Sequence, residues 1–259
     1  MSANNDTIGK TITVTVLLCV VCSVIVSAAA VLLKPQQIAN KELDRKSNIL
    51  AAAGLVDPTK SVDELFQQIT TKVIDLETGK FTDAVNAATF DARKASKDPA
   101  MSAALPRELD IASIKRQAKY QTVYLVEKEG KVETLILPVH GYGLWSTLYG
   151  FLALEGDLNT VVGLGFYSHA ETPGLGGEVD NPLWKALWPG KHVYAEGSME
   201  PKISLIKGKV DPASADATYQ IDGLSGATLT SNGVTHLIKF WMGQNGYAPF
   251  LANLKAGEV

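Results

Sequence analysis

The sequence has 259 residues, 46% of them hydrophobic, and a formal net charge of −3. That supplies enough apolar mass for one large packed domain or two small ones. The charges are dispersed, with no basic run, repeat period or low-complexity tract, which excludes nucleic-acid binding, a solenoid and extended disorder.

The chain opens with a polar tail, residues 1–10. The segment Thr11 to Leu33 then carries no charged residue and lies between Lys10 and Lys34. As a helix it reaches roughly 35 Å, enough to cross a ~30 Å hydrocarbon core. It is longer than the apolar region of a signal peptide and runs on past the small residues of "SAAA", so an uncleaved transmembrane helix over 11–33 is expected. Lys34, Lys41, Arg45 and Lys46 follow it. Positive charge favours the cytoplasmic side, but long domains translocate regardless, so charge leaves the orientation open. Cys19 and Cys22 both lie in the span. Three apart on a helix they share a face, yet free cysteine also packs as a small apolar residue.

Residues 34–259 read as the globular domain. "PQQIANKELDRKSNILAAAGLVDP" predicts a helix stopped by Gly54 and Pro58. Ser61 and Glu64 have the spacing of a capping box. "KVIDLETGKF" predicts a strand and a turn, residues 82–104 an irregular stretch, and "ELDIASIKRQA" a short helix. "YQTVYLVEKEGKVETLILPV" predicts a hairpin around Glu129-Gly130. "GFLALEGDLNTVVGLGFYSH" is a second strand–turn–strand unit. "NPLWKALW" predicts a short helix with Pro182 near its start, and "KISLIKGKV" a strand. From Val234, the spacing of Leu237, Ile238 and Trp241 predicts a helix ended by Gly243. Strand pairs mixed with helices predict an α+β domain. A break after roughly the first 75 residues of the soluble part is compatible with the pattern.

Sites for nucleotide phosphates, a nucleophilic serine and zinc are missing at the motif level. "GLGGEV" has two glycines of a dinucleotide fingerprint, but Val179 replaces the third and Pro173 precedes it, so no NADH site is expected. The four histidines, His140, His169, His192 and His236, lack ligand spacing. "HAETPGLGGE" and "HGYGLWS" each place glycines after a strand, where a turn or the close approach of a ligand are both compatible. "DGLSGATLTSNG", Asp222 to Gly233, concentrates Ser225, Thr228, Thr230 and Ser231 ahead of a helix. A helix cap accounts for Ser231, and for Thr230 at most, but not for the set. Hydroxyls at a helix N-terminus suit a phosphate, held or bonded, and the chemistry leaves that choice open.

"DGLSGAT" resembles the D-x-x-[ST]-G-A-T signal at which a flavin transferase joins FMN to the final threonine through a phosphoester. "HAETPGLGGEVDNPLW" and "PVHGYGLWS" are similar to the same covalent-FMN domains. Together with the single span and the length, the chain resembles the C-subunit family of bacterial sodium-translocating NADH:quinone oxidoreductases. A related family is the G subunit of Rnf-type ferredoxin:NAD complexes. The resemblance implies covalent FMN on Thr228 and a flavin-binding part over about 138–243. It implies Ser225, Gly226, Ala227, Leu229 and Thr230 around the phosphate and ribityl chain, and Glu171, Thr172, Leu175, Gly176 and Trp145 at the flavin. It further implies a single-pass protein of the bacterial inner membrane, a cytoplasmic tail over 1–10 and a periplasmic domain over 34–259. Its partners would be other membrane, flavin and iron–sulfur subunits, plus a transferase during maturation. The rival from another class is an anchored module that holds a free anionic ligand.

Overall fold

The structure is a computed structural model that describes residues 7–259. Most of the tail expected over 1–10 lies outside the described residues. The chain divides into two compact units, with the division between Asp44 and Arg45.

The first unit is helical. Helix α1 runs Ile8–Ala52 without a break, so the expected span and the expected following helix are one element. Pro35 lies inside it. Proline removes one i→i−4 bond, but good helix formers flank it on both sides and the helix continues. Ile12, Leu17, Leu18, Val24, Ile25 and Val26 are all more than half exposed. An exposed apolar surface of that length is the form a membrane-crossing helix takes. The last turns of α1, from Arg45 onward, belong to the second unit.

That unit begins with Ile49, Leu50, Ala52 and Ala53 buried. A single turn, α2 (Val62–Phe66), follows, opened by the predicted capping box: Ser61 Oγ accepts from the Glu64 amide, and Glu64 accepts from the Ser61 amide. Strands β1 (Ile69–Asp75) and β2 (Lys80–Phe81) form the predicted strand and turn. Residues 82–104 are mostly turns, with one helical turn α3 (Ala92–Ala95) and a short strand β3 (Ser102–Ala104). The helix expected in "ELDIASIKRQA" does not form. Asp110 accepts hydrogen bonds from the amides of Ile114 and Lys115, at 2.8 and 2.7 Å. Ser113 and Lys115 take positive φ, and the segment ends as β4 (Arg116–Ala118) against β3. A side chain that satisfies local amides has replaced the helical ladder.

The centre is a six-stranded antiparallel sheet in the order β2-β1-β5-β6-β7-β8. It contains the hairpin β5 (Tyr120–Lys128) and β6 (Lys131–Tyr142), then β7 (Thr147–Glu155) and β8 (Val161–Ser168). Glu129 and Gly130 both have positive φ, which gives a hairpin turn whose twist matches its strands. β1 pairs with β5 along its whole length, so the soluble part has no break after its first 75 residues.

Both faces of the sheet are covered, and strand alternation assigns side chains to each. Val123, Leu125, Leu135, Leu137, Leu152 and Leu154 enter the larger core, with α5 (Thr228–Met242) and α6 (Ala248–Ala256). Their neighbours Tyr124, Val126, Ile136, Phe151 and Ala153 point the other way, to Ile49, Leu50, Ala52 and Ala53. Between β8 and α5 lie a 3₁₀ turn (Gly176–Asp180), α4 (Pro182–Lys185) with Pro182 in its first turn, β9 (Ser204–Ile206) and β10 (Gln220–Asp222), the last two paired in parallel.

The second face makes a prediction. A chain that begins at Arg45 keeps the domain's thermal transition. One that begins at Gly54 loses Ile49 and Leu50, each worth roughly 1.5–3 kcal/mol of buried side chain. Its midpoint falls by about 10 °C or more for a domain of this size. Thermal unfolding of the two truncated chains measures the difference.

Candidate functional site

Helix α5 starts at Thr228, six residues ahead of the Val234 expected from its apolar spacing, and Ser231 is not its cap. The N-terminal residue is Ala227, which supplies no side-chain hydrogen bond. Ser231 instead lies buried in the first turn. Its hydroxyl accepts from the Leu224 amide at 3.0 Å and donates to the Ala227 carbonyl at 3.1 Å. This bond closes the loop 224–231 onto the helix.

The loop therefore leaves helix amides open. Ser231 N–H bonds to the Ala227 carbonyl, but the N–H groups of Thr228, Leu229 and Thr230 have no acceptor among the described residues. Thr228, Ser225 and Gly226 are exposed or at the surface of the loop, and Gly226 turns with φ +72°. A helix start with open amides, a partial positive charge and an exposed hydroxyl has the chemistry of an anion site. A groove of about 470 Å³ is lined by Thr228, Ser225 and Gly226 together with Lys207 and Lys209. That volume lies in the range of small-molecule pockets. The two lysines were not picked out from the sequence. "KGK" there is a common surface pattern, and the parallel pairing of β9 with β10 is what brings it to the motif. Asp222, which opens the motif, has a structural role: its carboxylate accepts from the Val210 amide and its carbonyl from Trp184 Nε1.

Glu171 joins this helix end to the turn between β6 and β7. Its Oε1 accepts from the amides of Leu144, Trp145 and Ser146, at 3.1, 3.0 and 3.3 Å. Its Oε2 accepts from Thr230 Oγ1 at 2.7 Å. The residue is 5% exposed and Thr230 fully buried. Burial pushes the carboxyl pKa up, but the Thr230 hydroxyl and the three amides outweigh it and hold the pKa below the usual glutamate value. Gly176 packs against the same pair: a methyl there would stand 2.5 Å from Thr230 Oγ1 and 2.7 Å from Glu171 Oε2. Gly233 lets the α5 backbone rest on the turn, since a methyl there would lie 2.5 Å from the Tyr142 carbonyl.

Apolar side chains stand exposed around this frame. Trp145 is 64% exposed, Leu229 59% and Leu175 44%. Leu175 borders Gly226, its Cδ2 lying 2.9 Å from where a methyl on that glycine would be. Thr172 is exposed, and its carbonyl accepts from the amides of Leu175 and Gly177. The chain thus brings together Trp145, Glu171, Leu175, Gly176, Gly226 and Thr230, with Ser225, Ala227, Thr228 and Leu229 on the adjoining loop and helix start. The fit to a phosphate-bearing aromatic group is direct: open amides, an exposed hydroxyl and lysines for an anion, and exposed indole and leucine surface for a flat ring.

The histidines do different work. His140 stacks on Tyr149 and tilts against Trp241, and burial lowers its pKa to about 4, with the Arg93 charge adding to the effect and Asp110 opposing it. Among the described residues no group of three or more His, Cys, Asp or Glu side chains is placed to hold a metal.

A long apolar helix followed by an α+β domain with a phosphate-ready helix end defines a class of anchored cofactor-binding domain, and residues 143–243 match the FMN-binding domain family. The C subunit of the Na(+)-translocating NADH-quinone reductase of Pseudomonas aeruginosa is 59% identical over 99% of this chain and 100% of its own length. The corresponding protein of Vibrio alginolyticus is 49% identical over the whole of both chains. The crystal structure of Shewanella oneidensis NqrC superposes with a TM-score of 0.77 at 35% identity, covering 84% of this chain and 99% of that one. The chain belongs to the C-subunit family of the Na(+)-translocating NADH-quinone reductases.

Proposed function

We propose that this chain carries FMN as a phosphoester on Thr228 Oγ1 and relays electrons between neighbouring carriers of a sodium-translocating NADH-quinone reductase. The observation that carries the reading is the start of α5: an exposed Thr228 hydroxyl beside amides that none of the described residues satisfies. A phosphodiester keeps about one negative charge, which open helix amides and the lysines Lys207 and Lys209 favour. When bound, FMN supplies the redox chemistry that no side chain here offers.

The protein's own groups then have separable tasks. Thr228 tethers and prevents loss of the cofactor into an open compartment. Ser225, Gly226, Ala227 and Thr230 shape the phosphate end. Trp145 and Leu175 would give apolar surface to the ring, and Leu229 to the ribityl chain. Glu171, with Gly176 and Thr172, fixes the distance between that surface and the helix end. Helix α1 anchors the domain in the bacterial inner membrane, with the tail cytoplasmic and the domain periplasmic. Sodium transport belongs to the assembly of partner subunits, and a flavin transferase attaches the cofactor during maturation. The single-chain test is the intact mass of the protein purified from its own membrane. An addition equal to FMN less one water, on the peptide containing Thr228, is the expected result. Flavin released completely by unfolding would instead identify a site for a free anionic ligand.

A further inference from the structure

Glu171 does not hold its position alone. His169 lies two residues before it with a side chain only 13% exposed. The amide of Glu171 donates to His169 Nδ1 at 3.2 Å, and His169 Nε2 lies 2.7 Å from Asp180 Oδ2. A backbone amide can only donate. Nδ1 is therefore the acceptor, and Nε2 carries the hydrogen that Asp180 receives. Lys185 Nζ stands 3.6 Å from Asp180 Oδ1 and completes the charges on that side. Asp180 ends the 3₁₀ turn that Gly176 begins, and Gly176 touches Glu171 and Thr230. A closed circuit results. Asp180 fixes the imidazole, the imidazole fixes the Glu171 backbone, and the Glu171 carboxylate holds both the Trp145 turn and the first turn of α5.

We propose that His169, locked in the Nε2–H tautomer by Asp180, is a positioning residue that sets Glu171 and through it the spacing between the Trp145 turn and the Thr228 helix end. The role in cofactor tuning rests on the flavin reading above; the positioning itself does not. The carboxylate of Glu171 is a buried negative charge within the site, so its placement bears on the potential of any redox group held there. The imidazole serves this purpose because its two nitrogens can accept on one side and donate on the other at a fixed separation.

Two substitutions separate the nitrogens. The amide group of His169→Asn occupies the Nδ1 region and can accept from the Glu171 amide. That of His169→Gln reaches the Nε2 region and keeps only the Asp180 contact. The experiment is hydrogen–deuterium exchange on the full-length chain in detergent, followed on the amides of Leu144, Trp145, Ser146 and Glu171. Amides in β5 and β6 report that the core stays folded. His169→Gln is expected to speed exchange at the four amides about tenfold, the scale of one lost hydrogen bond. His169→Asn keeps the acceptor for the Glu171 amide but loses the Asp180 contact, so its exchange is expected to lie between those of the parent protein and His169→Gln. In the flavin-loaded protein, a redox titration should show a displaced midpoint potential for Gln and a smaller displacement for Asn. Unchanged exchange in His169→Gln, or equal disturbance by both substitutions, overturns the proposal. Exchange is read whether or not flavin is attached, so a parent protein without flavin overturns the cofactor reading and leaves this one standing.

Discussion

Thr228→Ala protein is expected to carry no covalent flavin at all. The parent protein, denatured and run on a gel, should keep flavin fluorescence in its band; the variant's band should be dark and its intact mass unmodified. The effect is all or none because the phosphoester needs one hydroxyl, and its neighbours are poorly placed to replace it. Thr230 is buried and already donates to Glu171, and Ser231 is buried and bonded at both ends of its loop. Ser225 is exposed but precedes the helix start by three residues. The fold should be unaffected, since Thr228 is exposed and its side chain makes no hydrogen bond among the described residues. A fluorescent Thr228→Ala band would overturn the assignment. Thr228→Ser tests the same point from the other side, because it keeps a hydroxyl at that position.

Glu171→Ala is expected to give the largest loss of stability at the site. It strips the acceptor from three partly buried amides and from the fully buried Thr230 hydroxyl. Leaving buried donors unsatisfied costs about 1–3 kcal/mol each, and partial relaxation makes roughly 3–5 kcal/mol a reasonable total. The melting midpoint should fall by about 6–20 °C. Glu171→Gln keeps the shape and loses the charge, so its cost should be smaller, about 1–3 kcal/mol. The pH dependence has a definite sign. The folded-state pKa of Glu171 lies below its unfolded value, so the unfolded chain binds the proton more readily. The stabilisation is fully present above the ordinary glutamate value and is lost as pH falls through the lowered folded value. The gap between the parent protein and Glu171→Gln in thermal unfolding should therefore be widest near neutrality and shrink on acidification. A gap independent of pH would mean that the carboxylate charge contributes nothing.

Glu171 and Thr228 show how unevenly the site was legible. Thr228 stands in a seven-residue motif whose spacing can be read directly, because the proposed attachment rests on residues adjacent in the chain. Glu171 could be named only through a resemblance. Its partners Thr230 and Leu144 are 59 and 27 positions away, and nothing in the local sequence encodes them. The place of Lys207 and Lys209 at the motif is not legible in the sequence for the same reason. The helix starts earlier than its apolar spacing indicates because the spacing from Val234 reports only the buried face, whereas the first turn is held by the Ser231 hydroxyl on Leu224. The helix expected near Asp110 does not form because one carboxylate satisfies two local amides in place of a helical ladder.

By itself the sequence determined the membrane-length apolar helix, the hairpins around Glu129-Gly130 and between β7 and β8, and the capping box at Ser61. Each is fixed by periodicity or by residues within a few positions, where backbone geometry and side-chain reach decide the outcome. The tertiary structure alone decided that the sheet is covered on both faces, that α5 begins uncapped at Thr228, and that Glu171 ties that helix end to the Trp145 turn. Those features depend on the packing of segments far apart in the chain, and burial makes their hydrogen bonds strong enough to override local preference.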